Sequence, residues 1–242
     1  AAFALGTESI PKVQKIIGPG NQFVAEAKRQ LYGEVGIDSI AGPSELTVLA
    51  DSLSDPITIS WDLMAQAEHD EMASSILVST SQELINEVKS LIKKEVPLLS
   101  RSNIIQKSLR NRGVVILAED TEQAISLVNQ IAPEHVHIVT ENPLKDSRSI
   151  INAGLILSGK DSANALSDYV LGPSHILPTN GSSVFSSPLS VEDFIVHSSF
   201  INLGENSKLQ EYDELVKNTS ILARAEGLTA HAISAEIRKK KD

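Results

Sequence analysis

Residues 114–140, VVILAEDTEQAISLVNQIAPEHVHIVT, hold a short β-branched run at 114–117, a helical pattern at 121–130 and a second β-branched run at 136–140. Strand, helix and strand in that order is the repeating unit of a sheet whose parallel strands are buried between helical layers. The alternation continues on both sides of this unit. Further runs of strand character stand at 12–17, 46–50, 76–79 and 155–157, and helical patterns at 21–32, 57–68, 82–95 and 142–152. The expected class is therefore α/β, with parallel Rossmann-like sheet layers and helices on both faces. After the Pro/Ser/Asn-rich stretch 172–187 the pattern turns helical at 191–194, 208–225 and 230–240, with no convincing further strand after 200–203. A small C-terminal helical segment is expected there.

Composition narrows the function classes. The 242 residues are 41% hydrophobic and 21% charged, enough for one large domain or two smaller ones with real cores. Lys and Arg total 21 against 31 Asp and Glu, and the formal charge of -10 repels a nucleic-acid backbone. The one basic cluster, Arg238 to Lys241, reads as a solvated tail. The absence of cysteine excludes a disulfide framework, thiolate catalysis and sulfur-ligated zinc. No apolar run approaches the roughly 20 residues of a membrane span. The chain opens at Ala1, in an apolar stretch with neither a basic region nor a cleavage pattern, and reads as a chain entered midway.

Two clusters carry chemistry. Gln66 and His69 lie three apart in a helical pattern, so both side chains are expected on one helix face. With Asp168 and His231 they would make an N/O site for a hard or borderline divalent ion. The same residues are compatible with a solvated helix end, a capping Asp and a surface His. Asp168 follows a strand and a short helix, which suggests the carboxyl ends of the strands, where α/β sites collect. His231 lies beyond Gly227, where one helix ends and Thr229 is suited to cap the next.

The second cluster is Pro133-Glu134-His135. Pro133 stops a helix before the strand at 136–140, so Glu134 and His135 are expected on a rigid turn. A carboxylate that accepts a proton from water beside an imidazole that titrates near neutrality is an acid/base pair. A capping pair is the plainer alternative. His137 and His197 read as structural. Two glycine-proline turns complete the set. In Gly18-Pro19-Gly20-Asn21 backbone N–H groups at a helix start can face a phosphate or a cofactor amide, although the turn is not the dinucleotide fingerprint. In Ala41-Gly42-Pro43-Ser44-Glu45 the Ser44 hydroxyl is available to a small polar ligand, without a nucleophile elbow around it.

These blocks together, with Ala65-Gln66-Ala67-Glu68-His69, Ala132-Pro133-Glu134-His135, Asp168-Tyr169, Gly172 to Thr179 and Ala225 to His231, resemble histidinol dehydrogenase in order along nearly the whole chain. The resemblance implies a homodimer, dependent on zinc and NAD, that oxidises L-histidinol through L-histidinaldehyde to L-histidine, the last step of histidine biosynthesis. It implies Gln66, His69, Asp168 and His231 as zinc ligands that also hold substrate, and Ser44, His175 and Glu226 as positions around the substrate. Glu134 and His135 match the acid/base pair, and Asn21 a residue contacting NAD. Glu226 and His231 would reach the partner subunit's site. On this reading residues 1–45 are the tail of an NAD-binding domain, 46–189 the second half of the main α/β domain, and 190–242 a dimerisation segment. The setting expected is cytoplasmic, or a plastid in a plant, with no nucleic-acid or membrane partner. Manganese suits the same ligands as zinc. The alternatives are a truncated fragment that keeps only zinc and dimer binding, and a zinc hydrolase using Glu134.

Overall fold

The computed structural model describes residues 1–203 and 210–238. Positions 208–209 and 239–240 of the expected C-terminal helices, and Lys239 to Lys241 of the basic tail, lie outside the described residues. In chain order the regular elements are α1 (Ala2–Leu5), β1 (Lys15–Ile16), α2 (Gln22–Leu31), β2 (Gly36–Ile37), β3 (Glu45–Ala50), α3 (Pro56–Ala67), β4 (Ser74–Ser79), α4 (Gln82–Glu95), α5 (Ser102–Arg112) and β5 (Gly113–Leu117). They continue as α6 (Thr121–Ile131), β6 (His135–Ile138), α7 (Pro143–Ser147), β7 (Leu155–Ser158), α8 (Asn164–Tyr169), α9 (Gln210–Ala225) and α10 (Thr229–Glu236).

The main sheet has five strands in the order β5-β4-β3-β6-β7, all parallel. Strands β3, β4 and β6 are buried on both faces by a helical layer on each, whereas Val114, Val115 and Leu117 of the edge strand β5 are exposed. On one side Leu46, Val48 and Ala50 of β3 meet Ile59 and Leu63 of α3 and Leu84, Ile85 and Val88 of α4. On the other, Leu49, Val136 and Ile138 meet Ala124 and Val128 of α6 and the loop residue Ile150. Chain order reverses between β3 and β6, the crevice where a doubly wound sheet can bind a ligand. A separate two-stranded parallel sheet pairs β1 with β2.

Several elements differ from expectation. The run at 12–17 yields only the two residues of β1, and the helix expected over 142–152 ends at Ser147, after which Ile150 turns into the core. Helix α5 is additional, with Ile105 buried against Met64, Ala67 and Val96. The segment Val191–Phe194 is a 3-10 turn with a capping box from Ser190 and Asp193. The chain divides into two compact units, Ala1–Ile195 and Val196–Asp242. The second holds α9 and α10, packed on one another through Val216, Ala223 and Ala232 and tied by Arg224 to Glu236 at 2.9 Å. No helix among the described residues is long and apolar enough to cross a membrane.

Candidate active site

A cleft of about 350 Å³ in the first unit is lined by Ser44, His69, Glu134, His135, Asp168 and His175 among others. It opens at the amino ends of the strands: Ser44 precedes β3, Glu134 precedes β6, and Leu155 begins β7. This corrects the expectation of a site at the carboxyl ends. The helices that follow β3 and β7 run back against the strand direction, so the C-termini of α3 and α8 return to the amino edge and bring His69 and Asp168 with them.

Helix α3 begins with Asp55, whose carboxylate accepts from the Ile57 N–H, and with Pro56 at its first position. It ends at Ala67, so Gln66 is helical while His69 lies two residues beyond the end, its N–H 3.3 Å from the Gln66 carbonyl. The two do not share a helix face as the spacing had suggested. The helix nevertheless points its carbonyl end, the negative pole of its dipole, toward the cleft edge, which favours a cation there. His69 Nε2 lies 3.9 Å from Asp168 Oδ2. Gln66 is 1% exposed, and neither its amide oxygen nor its nitrogen has a hydrogen-bond partner among the described residues. A buried amide left unmatched is costly, and an ion taking its oxygen removes part of that cost. The donor set thus fits a divalent ion, although among the described residues no three His, Asp or Glu side chains already converge on one point. His175, assigned to substrate, places Nε2 2.6 Å from the Asp168 carbonyl and so also fixes the end of α8.

Glu134 and His135, the expected acid/base pair, are held firmly. Helix α6 is closed by Ala132 in the left-handed region (φ 49), Pro133 follows, and His135 is already the first residue of β6 and not part of a turn. Glu134 Oε2 accepts from the Ser44 hydroxyl and from the Glu45 N–H, both at 2.8 Å. His135 Nδ1 lies 3.1 Å from the Glu45 carbonyl and 3.5 Å from Glu134 Oε2. Burial alone pushes the His135 imidazole down. The Glu134 carboxylate, the Glu45 carbonyl and the Asp168 charge outweigh it and hold the group above its ordinary value. Glu45 is pushed up by burial, with the Glu134 charge adding to it. Sequence reasoning passed over Glu45, whose backbone serves both members of the pair; its place directly after Ser44 was the available signal.

Asn21 caps α2, its side-chain oxygen accepting from the N–H groups of Phe23 and Val24 at 3.1 and 3.2 Å. The Gly18 N–H donates to Asp38 at 2.8 Å. The Gly18 amide of the Gly-Pro-Gly turn and the Phe23 and Val24 amides of the helix start are therefore matched within the protein. Asn21 lines a second groove, which shares Ala41 and Gly42 with the cleft. In the second unit, Glu226 follows the end of α9 and Gly227 turns the chain with φ 77. His231 is exposed in the first turn of α10, and the cap position before that helix is Leu228, not Thr229.

The family profile of histidinol dehydrogenase matches residues 1–239. A histidinol dehydrogenase of Clostridium acetobutylicum is 51% identical over 240 residues, 99% of this chain and 55% of the relative. One from Pseudomonas fluorescens is 49% identical over 242 residues, 100% of this chain and 54% of the relative. The crystal structure of the histidinol dehydrogenase from Elizabethkingia anophelis superposes with a TM-score of 0.88 at 32% identity, covering 98% of this chain and 54% of the other. The chain spans about half the length of the relatives it matches. Since the profile runs through the cleft residues and the C-terminal helices alike, the chain belongs to the histidinol dehydrogenase family.

Proposed function

We propose that this chain carries the reacting groups for the NAD-dependent oxidation of L-histidinol, through L-histidinaldehyde, to L-histidine. The observation that supports the reading is one cleft lined by Glu134, His135, His69 and Asp168, with a buried, unpartnered Gln66 three residues before His69 at the end of α3. Gln66, His69 and Asp168, with His231 from the C-terminal unit, would hold one divalent ion, zinc in this reading. When bound, that ion supplies a fixed positive charge against which the imidazole and amine of the substrate are oriented. NAD, with Asn21 among its contacts, accepts the hydride in each of two half-reactions. A cofactor in the Asn21 groove would open onto the cleft through Ala41 and Gly42.

The chain's own residues move the protons. In the first half-reaction His135 takes the alcohol proton as hydride leaves the carbinol carbon. In the second, Glu134 takes a proton from the water that adds to the aldehyde while His135 gives its proton to the carbonyl oxygen; His135, neutral again, then takes a hydroxyl proton of the hydrate as the second hydride leaves. Ser44 and the Glu45 N–H hold the Glu134 carboxylate by one oxygen and leave the other for water. His175 and Glu226 would border the substrate, and Glu226 and His231 would enter the site of a partner copy. The setting proposed is cytoplasmic, with neither nucleic acid nor membrane as partner; the named relatives are bacterial, which gives the plastid alternative no support. A second reading, in which the chain keeps zinc and dimer binding without turnover, draws on its coverage of only 54–55% of those relatives.

Substitution His69→Asn tests the metal assignment. Zinc content by elemental analysis should fall from about one per chain to well below that, and calorimetric binding of L-histidinol to the zinc-treated chain should weaken with it. Stoichiometric zinc retained by the variant would remove His69 from the ligand set.

A further inference from the structure

His137 stands on β6 two residues after His135, facing the same side of the sheet, and is 1% exposed. Both of its ring nitrogens are engaged, each by a different element. Nδ1 is 2.9 Å from Oδ2 of Asp62, in the middle of α3, and Nε2 is 2.9 Å from the carbonyl oxygen of Gly159, directly after β7. Asp62 lies four residues before Gln66, one helical turn away on the same face of α3. Gly159 starts the turn into α8 with φ 94; its N–H donates to Ile138 of β6, and its carbonyl also receives the Ser162 N–H. One buried imidazole therefore joins the strand that carries the acid/base pair to the helix that carries Gln66 and to the turn that leads to Asp168.

We propose that His137 is a positioning residue: it holds α3 and the entry to α8 across β6, and thereby keeps His69 and Asp168 opposed beside His135. The proposal deepens the metal reading above and rests on it only for its second readout. A ring that merely filled space would be replaceable by another ring of similar volume. A clasp depends on its two hydrogen bonds, which must restrain two elements at once. A short, buried, doubly engaged link has that property, because losing either bond leaves a buried polar atom unmatched and frees one element relative to the other.

The test uses the full 242-residue chain and four variants. His137→Phe and Asp62→Ala break the clasp from opposite sides, the second at a side chain that is 12% exposed. Asp62→Asn retains an acceptor for Nδ1, and Val88→Ala loosens the α4 side of the core without touching the clasp. Hydrogen exchange by mass spectrometry should show peptides over 62–69 and 159–168 exchanging at least threefold faster, together, in both breaking variants and at near wild-type rates in Asp62→Asn. Cobalt titration followed by visible absorption should show affinity lowered at least tenfold in the breaking variants, but not in Val88→Ala brought to the same melting temperature. Unchanged exchange in a folded breaking variant, or equal cobalt loss in Val88→Ala, overturns the clasp. If the wild-type chain takes up no cobalt, the metal reading falls and exchange alone decides the clasp.

Discussion

Glu134 shows how one side chain's surroundings separate structural from chemical effects. Its Oε2 is occupied by the Ser44 hydroxyl and the Glu45 N–H, and a glutamine at 134 can keep both bonds by presenting its single carbonyl oxygen to them. What Glu134→Gln removes is the carboxylate charge and the ability to take a proton. In a chain of the relatives' full length, aldehyde oxidation should therefore fall by ~10²–10⁴-fold, the usual cost of losing a general base, while alcohol oxidation falls far less. Rates measured separately with L-histidinol and L-histidinaldehyde check this, and equal losses would refute the division of labour between Glu134 and His135. The same substitution takes away the Glu134 charge, the largest of the influences that hold His135 above its ordinary value, and leaves the Glu45 carbonyl and the Asp168 charge to oppose burial. Nuclear magnetic resonance titration of His135 in the variant should show its pKa lowered relative to wild type.

Between residues and the whole chain stand the joints of the elements, of which the buried pair Lys28–Asp38 is the clearest. Lys28 Nζ lies 2.6 Å from both Asp38 Oδ1 and the Gly18 carbonyl, with the two side chains 5% and 2% exposed. The pair fastens the Gly18 turn and α2 to the loop after β2. Burial pushes the Asp38 carboxyl up, but Lys28 and the Gly18 and Ser39 N–H groups outweigh it and leave it lowered. A lowered carboxyl contributes stability in full above its unfolded pKa and loses it as pH falls through the folded value. Lys28→Met strands the carboxylate and should cost about 3 kcal/mol at neutral pH. Urea unfolding at pH 7 and pH 4 should show the gap to wild type narrowing on acidification, because the stranded group is neutralised there; a gap that widens would contradict the assignment. At this scale the sequence was readable where one element had one strong signal. The runs at 46–50, 76–79 and 136–140 became strands buried on both faces between helical layers; the run at 114–117 forms the edge strand although Val114, Val115 and Leu117 stay exposed. Helix α5 was missed because SNIIQKSLRNR offers only Ile104, Ile105 and Leu109 as apolar positions, and Ile105 alone of these is fully buried. The edge of the sheet that holds the site was misjudged for a different reason. The carboxyl-end rule was applied to Asp168, although Gln66 near the end of a crossover helix already required the amino edge.

For the molecule as a whole, the open question is what the C-terminal unit is for. Its two helices bury Val216, Ala223 and Ala232 between them but leave Leu215, Ile221, Leu222, Ile233 and Ile237 exposed. A helical pair with that much apolar surface needs an external face to cover it, and in the proposed dimer that face belongs to the partner copy. Glu226 and His231 would travel with the helices, so dimerisation and metal binding become one equilibrium. The consequence can be measured by complementation in chains of the relatives' full length. Neither His231→Ala nor Glu134→Gln should form L-histidine alone. In a mixed dimer, one site combines the intact Glu134 of the first chain with the intact His231 of the second, and the other site carries both defects. Random re-association makes about half of the dimers mixed, so about a quarter of wild-type histidine formation should return. If native mass spectrometry shows mixed dimers and the mixture stays inactive, His231 serves its own chain and the exchanged-segment arrangement is wrong.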